Sequence, residues 1–117
     1  MKIAVPLNGD LVAEHFGHAP YFAVYAIEGN EMEKEVLTPP PHEPGVIPRW
    51  LHSLGVTHIL SGTMGWRAKE FFDSFGIEVV TGVPPISADE AVRAFVTGTL
   101  KVSPRFCGGH GGGCGRH

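Results

Sequence analysis

Residues 56–80 read VTHILSGTMGWRAKEFFDSFGIEVV, and this stretch contains the pattern that sets the class of fold. Two short apolar segments, residues 56–60 and 77–80, have the length and composition of buried strands. Between them, apolar residues recur at helical spacing until Gly76, where a helix is expected to end. The order strand, helix, strand predicts two parallel strands joined by a helix. The side chains that we expect to pack in the core are Trp66, Ala68, Phe71, Phe72 and Phe75.

Segments before this stretch predict three more strands. Residues 2–7 form an apolar run that ends in a turn, which is typical of a central strand. Residues 21–27 and 32–37 flank a short polar turn and predict a hairpin. The second hairpin strand is expected at a solvated edge of the sheet, because glutamates occupy every second position: Glu31, Glu33 and Glu35.

Two further helices are predicted on either side of residues 56–80. Five prolines between residues 39 and 48 indicate a loop, and a helix with apolar spacing follows it. Ser87 and Glu90 have the spacing of a capping box, which predicts a third helix ending near Thr97. The whole pattern predicts an α/β fold with a mixed sheet of about five strands and about three helices. The apolar residues of the first helix are Ile47, Trp50, Leu51 and Leu54.

Composition limits the class of protein and its partners. The chain has 117 residues, of which 43% are hydrophobic and 18% charged, as expected for one globular domain. No apolar run approaches the roughly 20 residues needed to cross a bilayer, and we expect a cytoplasmic protein without membrane contact. The net charge of −3 disfavours nucleic acid as a partner.

Residues 104–117, PRFCGGHGGGCGRH, differ from the domain predicted over residues 1–103. Six glycines make this segment a flexible tail by composition. Its two thiols and two imidazoles, spaced C-x2-H-x3-C-x2-H, suffice for a tetrahedral metal such as Zn²⁺ or Cu⁺. Incidental thiols in a Gly-rich terminus and a regulatory disulfide are the alternatives. The four candidate ligands are Cys107, His110, Cys114 and His117.

Three loop histidines are candidates for contact with a metal or a cluster. His15 and His18 flank Phe16 and Gly17 after the first strand, and both rings can face one cavity. His42 lies in the Pro-rich loop, which could fold over the same edge of the sheet. The simpler alternatives are solvent-exposed polar side chains at His15 and His18 and a role in ordering the loop at His42.

Gly62 and Gly65 precede the second helix, and Arg67 lies in its first turn. Free backbone N–H groups at such a helix start can hold an anion, although the glycines can equally serve close packing. Nucleophilic catalysis has little support, because no Gly-x-Ser-x-Gly elbow occurs. Residues 3–7 and 56–62 carry no acids for metal-dependent phosphoryl transfer, and we expect a protein that is not an enzyme.

Three motifs together resemble one known family. The motifs are EHFGHAPYF at residues 14–22, SGTMGWRA at 61–68 and GIEVVTG at 76–82. Their order and spacing are similar to those of the dinitrogenase iron-molybdenum cofactor biosynthesis family, which includes nitrogenase cofactor carriers and the orange protein. The resemblance spans about residues 1–100. It implies a ribonuclease-H-like α/β fold without nuclease activity.

The resemblance also implies a function, namely the binding or delivery of an anionic metal–sulfur cluster that contains iron, molybdenum, or molybdenum and copper. The implied partners are the cluster and a protein of cofactor assembly or a recipient protein. A module that binds Zn²⁺ or Cu⁺ through its tail and contacts a protein is the alternative, and a redox pair of the two cysteines is less favoured. The implied pocket residues are His15, Phe16, Gly17, His18, Gly62, Thr63, Met64, Gly65 and Arg67.

Overall fold

The computed structural model describes residues 1–16, 19–41, 43 and 45–102. Within these residues the chain forms six strands and three helices. The strands are β1 (Lys2–Asn8), β2 (Leu11–Val12), β3 (Tyr21–Glu28), β4 (Glu31–Leu37), β5 (His58–Leu60) and β6 (Glu78–Val80). The helices are α1 (Val46–Ser53), α2 (Trp66–Ser74) and α3 (Ala88–Thr97).

The strands form one mixed sheet in the order β4-β3-β1-β5-β6. Strands β1, β5 and β6 are parallel, whereas β3 and β4 form an antiparallel hairpin beside β1. The two-residue strand β2 pairs with the end of β1 through Leu7↔Val12 and Asn8↔Leu11. The predicted mixed α/β sheet with three helices is confirmed, and β2 is an addition that two residues are too few to signal.

Helices cover both faces of the sheet, and β1 is buried between them. Its alternating side chains divide between two cores: Ala4 faces α1 and α2, whereas Ile3 and Val5 face α3. The central position of β1 explains why its sequence is apolar on both faces. On the first face, the helix residues Ile47, Leu51 and Phe72 pack against the strand residues Phe22, Val24 and Ile59. On the second face, the α3 residues Ala88, Ala91 and Val92 pack against the strand residues Leu7, Tyr25 and Leu60.

Three local predictions are corrected. Trp66 is 62% exposed at the start of α2, because only the stripe centred on Phe72 faces the sheet. Strand β6 is an edge strand with an exposed Glu78 and half-buried neighbours, so it is less buried than predicted. Ser87 occupies the N-cap of α3 but its side chain makes no capping hydrogen bond. Instead the N–H of Ala88 donates to the carbonyl of Asp10, at 3.0 Å.

Candidate functional site

The candidate site lies at the edge of the sheet where the parallel strands β1 and β5 end. Residues 13–16 follow β2 and residues 61–65 follow β5, and hydrogen bonds join the two loops there. The carboxyl edge of parallel strands is where open α/β sheets most often bind ligands. Two of the predicted residues, His15 and Thr63, meet directly at this edge, in a parallel bridge between the loops.

Thr63 joins the loops with both its backbone and its side chain. Its N–H donates to the carbonyl of Glu14 at 2.6 Å, and its carbonyl accepts from the N–H of Phe16 at 3.2 Å. The Thr63 hydroxyl also donates to the Glu14 carbonyl, at 2.8 Å. The same hydroxyl oxygen lies 2.9 Å from Nδ1 of the exposed His15 ring. His15 is therefore attached to the start of the segment that leads into α2.

Gly62 permits this close approach of the loops. A Cβ at this position would lie 2.7 Å from the carbonyl oxygen of Glu14 and 2.9 Å from its Cα. The N–H of Gly62 donates to the carbonyl of Ala13 at 3.3 Å. The prediction that Gly62 presents a free N–H group to an anion is therefore wrong, and the packing alternative describes this glycine better.

The start of α2 retains the features of an anion-binding segment. Gly65 is the N-cap, without a side-chain cap, and the first turn of α2 carries no acidic residue. Helix geometry leaves the first N–H groups without an intrahelical acceptor, and the helix dipole places partial positive charge there. Arg67 adds an exposed cation in the same turn. Beyond its chain neighbours, no atom lies within 4 Å of the position that a Cβ of Gly65 would occupy, so close packing does not explain this glycine. Its predicted contact with a cluster stays a prediction.

A cavity of about 310 Å³ opens beside the joined loops, between α1 and α2. Most of its lining is apolar, and Arg67 and Glu43 contribute opposite charges. Phe16, the neighbour of His15, lies in its wall while its ring packs edge-on against Phe22 and Phe72. Phe16 is thus mainly a core residue. The full lining is Phe16, Glu43, Gly45, Ile47, Pro48, Arg67, Ala68 and Phe71.

The remaining predicted site residues divide into two groups. Met64 is half-buried and packs against the core cluster of α1 and α2, next to the joined loops. Seven others lie outside the described residues and stay predictions. Within the described ranges, no group of three or more His, Cys, Asp or Glu side chains is arranged to hold a metal ion. The predicted residues outside the description are Gly17, His18, His42, Cys107, His110, Cys114 and His117.

Sequence reasoning missed a polar cluster on the opposite face of the sheet. The buried Tyr25 donates its hydroxyl proton to Asp89 of α3 at 2.6 Å, and Lys34 of β4 lies 3.2 Å from the same carboxylate oxygen. Burial raises the pKa of Tyr25, and the bond to Asp89 raises it further. The bond from Tyr25 lowers the pKa of Asp89, assisted by Lys34. This cluster attaches α3 to the sheet on the face opposite α1 and α2.

Among the described residues, no helix combines the length and the apolar character that crossing a membrane requires.

Comparison with known proteins relates this fold to one family. The family model described as "Dinitrogenase iron-molybdenum cofactor" matches residues 1–98. The uncharacterized protein MJ0580 of Methanocaldococcus jannaschii is 30% identical over 107 residues, which cover 86% of this chain and 90% of that protein.

Two solved structures have the same architecture. The crystal structure of PH0822 superposes with a TM-score of 0.82 and 36% identity, covering 88% of this chain and 95% of that one. The apo form of the orange protein from Desulfovibrio gigas superposes with a TM-score of 0.71 and 24% identity, covering 87% and 92%. At that identity the second likeness supports the fold alone.

Proposed function

Because the chain belongs to the dinitrogenase iron-molybdenum cofactor family, we propose that it binds an anionic metal–sulfur cluster and delivers it without catalysing a reaction. The cluster, of the Fe–Mo or Mo–Cu type, is cargo in cofactor assembly. The observation that carries the proposal is the position of the His15 ring, held by Thr63 at the start of α2. One ligand group and one electropositive segment thus occur at the same edge of the sheet.

The chemistry of this edge fits an anionic guest. Unpaired N–H groups at a helix start favour negative charge, and the effect is stronger where no acidic side chain offsets the dipole. Arg67 supplies a cation in the first turn of this helix. The imidazole of His15 is a ligand that suits iron and copper. Glu43 faces the same cavity and reduces the net positive charge there.

The rigid attachment of the loops suits reversible holding of a cargo. The buried Ser61 donates its N–H to the carbonyl of Val80 and its hydroxyl proton to the carbonyl of Thr63. Gly62 accepts from the N–H of Gly82 at 2.7 Å. A site whose backbone is already bonded loses little conformational entropy when a guest binds.

Exposed apolar side chains surround this edge and support a protein partner in assembly or transfer. Trp66 begins α2, Leu11 lies in β2, and Tyr21 begins β3 opposite Leu7 of β1. All three are large hydrophobic residues with exposed side chains. Clusters of exposed aromatic and aliphatic groups are typical of protein contact surfaces. A recipient that docks here would meet the cargo directly.

Anaerobic reconstitution tests the proposal. Full-length protein is incubated with tetrathiomolybdate and Cu⁺, or with Fe²⁺, sulfide and molybdate, then separated from small molecules and analysed for metals. We expect retained metal and a visible charge-transfer band. His15→Ala should lose most of the metal. His52→Ala is the matched control, because His52 only stacks on Phe75 at the surface and should leave retention unchanged. A colourless original protein without Mo, Fe or Cu contradicts the proposal.

A second candidate function is Zn²⁺ or Cu⁺ capture by the tail alone. Helix α3 ends beside the β3–β4 turn, since Val96 and Thr97 line one cavity with Gly29 and Asn30. This is the end of the sheet opposite His15. Ten residues of α3 span about 15 Å. The described chain therefore leaves α3 at the end of the sheet opposite His15, and this direction favours a metal site that belongs to the tail alone.

Substitutions in the full-length chain separate the two functions. Cys107→Ser with Cys114→Ser should abolish Zn²⁺ or Cu⁺ uptake if the tail acts alone, and should leave cluster retention at least partly intact if the His15 edge holds the cluster. Complete loss of cluster retention in this variant would assign the cluster to the tail.

A further inference from the structure

We propose that Thr63 is a positioning residue that fixes the tautomer of His15, with the ring proton on Nδ1 and the lone pair on Nε2. This inference rests on the proposed function and deepens it, because it names the ring nitrogen that carries the lone pair needed for coordination. It concerns the unloaded protein, and so its test does not depend on whether a cluster binds.

The assignment follows from the single proton of the Thr63 hydroxyl. That oxygen lies 2.8 Å from the carbonyl oxygen of Glu14, which can only accept, so the hydroxyl proton points there. Toward His15 the same oxygen has only lone pairs to offer. The contact of 2.9 Å with Nδ1 is therefore a hydrogen bond in which the ring donates. A neutral ring that donates from Nδ1 has its lone pair on Nε2.

The direction of the hydroxyl is well determined because Thr63 cannot easily turn. Its N–H and carbonyl are bonded to Glu14 and Phe16, and its carbonyl also accepts from Ser61 at 3.1 Å. Gly62 packs its Cα against the backbone of Glu14. The Glu14 carbonyl thus stays next to the hydroxyl, and it accepts from both the N–H and the hydroxyl of the same residue.

A fixed tautomer prepares the ring for coordination. A histidine binds a metal through the nitrogen that carries the lone pair, and a partner on the other nitrogen orients the ring and raises its basicity. Valine at position 63 would keep the shape of the side chain while removing both hydroxyl bonds. Serine would keep the hydroxyl, and it is the conservative variant.

Ring ¹⁵N NMR of the full-length chain tests the tautomer. The protein is labelled with ¹⁵N-histidine and measured above about pH 8, where histidine is neutral. The spectrum of His15→Ala identifies the His15 signals among those of seven histidines. We expect a protonated Nδ1 and an unprotonated Nε2 in the original protein and in Thr63→Ser, and a smaller population of this tautomer in Thr63→Val.

His58 is an internal reference for this experiment. Its Nδ1 lies 2.8 Å from the hydroxyl oxygen of Thr57, which donates to the carbonyl of Lys2 at 2.9 Å. The same reasoning assigns it the same tautomer at the start of β5, away from the candidate site. Its signals should not change in either variant of Thr63.

A ring proton on Nε2 of His15 in the original protein would overturn the inference. An unchanged tautomer in Thr63→Val would also overturn it. A binding measurement then links the tautomer to the cargo: Thr63→Val should bind tetrathiomolybdate with Cu⁺ about 10- to 100-fold more weakly, and Thr63→Ser nearly as well as the original. If the original protein retains no probe while the tautomer is as stated, the proposed function fails and the positioning by Thr63 stands.

Discussion

Gly62→Ala is expected to destabilise the protein because it forces the two loops of the candidate site apart. The added methyl group would lie 2.7 Å from the carbonyl oxygen of Glu14 and 3.1 Å from its carbonyl carbon. A contact of 2.7 Å is essentially never found for a real Cβ, and both partners are backbone atoms that cannot rotate away. The chain must therefore shift at residue 14, at residue 62, or at both.

The expected loss of stability is about 2–4 kcal/mol. Overpacking in a well-packed region costs about 1–3 kcal/mol. The shift also weakens the bonds from the N–H groups of Gly62 and Thr63 to the opposite loop, each worth about 1 kcal/mol net. The matched control is Gly65→Ala. Gly65 has open space around it and φ of −64°, so alanine should change stability by no more than about 1 kcal/mol.

Urea unfolding followed by circular dichroism measures both variants. With a denaturant slope of about 2 kcal/mol/M, a loss of about 3 kcal/mol lowers the midpoint by about 1.5 M. Gly62→Ala should also retain less metal after reconstitution, because the contact of Thr63 with His15 is disturbed. Equal midpoints for Gly62→Ala and Gly65→Ala would refute the close approach of the loops on which this reasoning depends.

Three further outcomes are expected. Tyr25→Phe should cost about 1 kcal/mol at neutral pH, measured by urea unfolding, because it removes a hydrogen bond to the half-exposed Asp89. Because folding lowers the pKa of Asp89, its carboxylate stabilises the fold fully above the pKa of the unfolded state, and this stabilisation is lost as pH falls through the pKa of the folded state. The difference in unfolding free energy between the original protein and Tyr25→Phe should therefore shrink below about pH 4. A difference that stays constant with pH would contradict this assignment. Lys34→Gln should change stability by less than about 1 kcal/mol, since the pair is partly exposed. Arg67→Gln should weaken tetrathiomolybdate binding several-fold at low salt and less at high salt. Arg93→Gln makes the same charge change in the middle of α3, on the other face of the sheet, and should not weaken binding. Equal effects of the two substitutions would remove Arg67 from the site.

Much of the fold could be predicted from sequence because its elements are strongly patterned. The hairpin, the central strand and all three helices follow from period-two and helical spacing of apolar residues. Periodicity failed at Trp66, because the first residue of a helix can lie beyond the stripe that packs on the sheet. The capping box failed in its side-chain bond only: Ser87 is the N-cap, and the start of α3 is attached instead through the N–H of Ala88 to the carbonyl of Asp10 in the turn after β1. That tertiary contact has no local signal.

The candidate site was predicted only in outline. Sequence placed His15 and residues 62–67 at the same edge of the sheet, because both follow predicted strands. It did not reveal the contact between them, since the common acceptor is the backbone carbonyl of Glu14, and a carbonyl has no residue signature. For the same reason Gly62 could not be identified as a packing glycine before its neighbour was known.

Native mass spectrometry of the full-length chain after anaerobic reconstitution would test most directly whether this protein carries an inorganic guest as one unit. We expect a mass increase equal to a complete metal–sulfur cluster, sulfide included, which is lost in His15→Ala and kept in His52→Ala. Bare metal ions without sulfide, bound equally by all three proteins, would contradict the account.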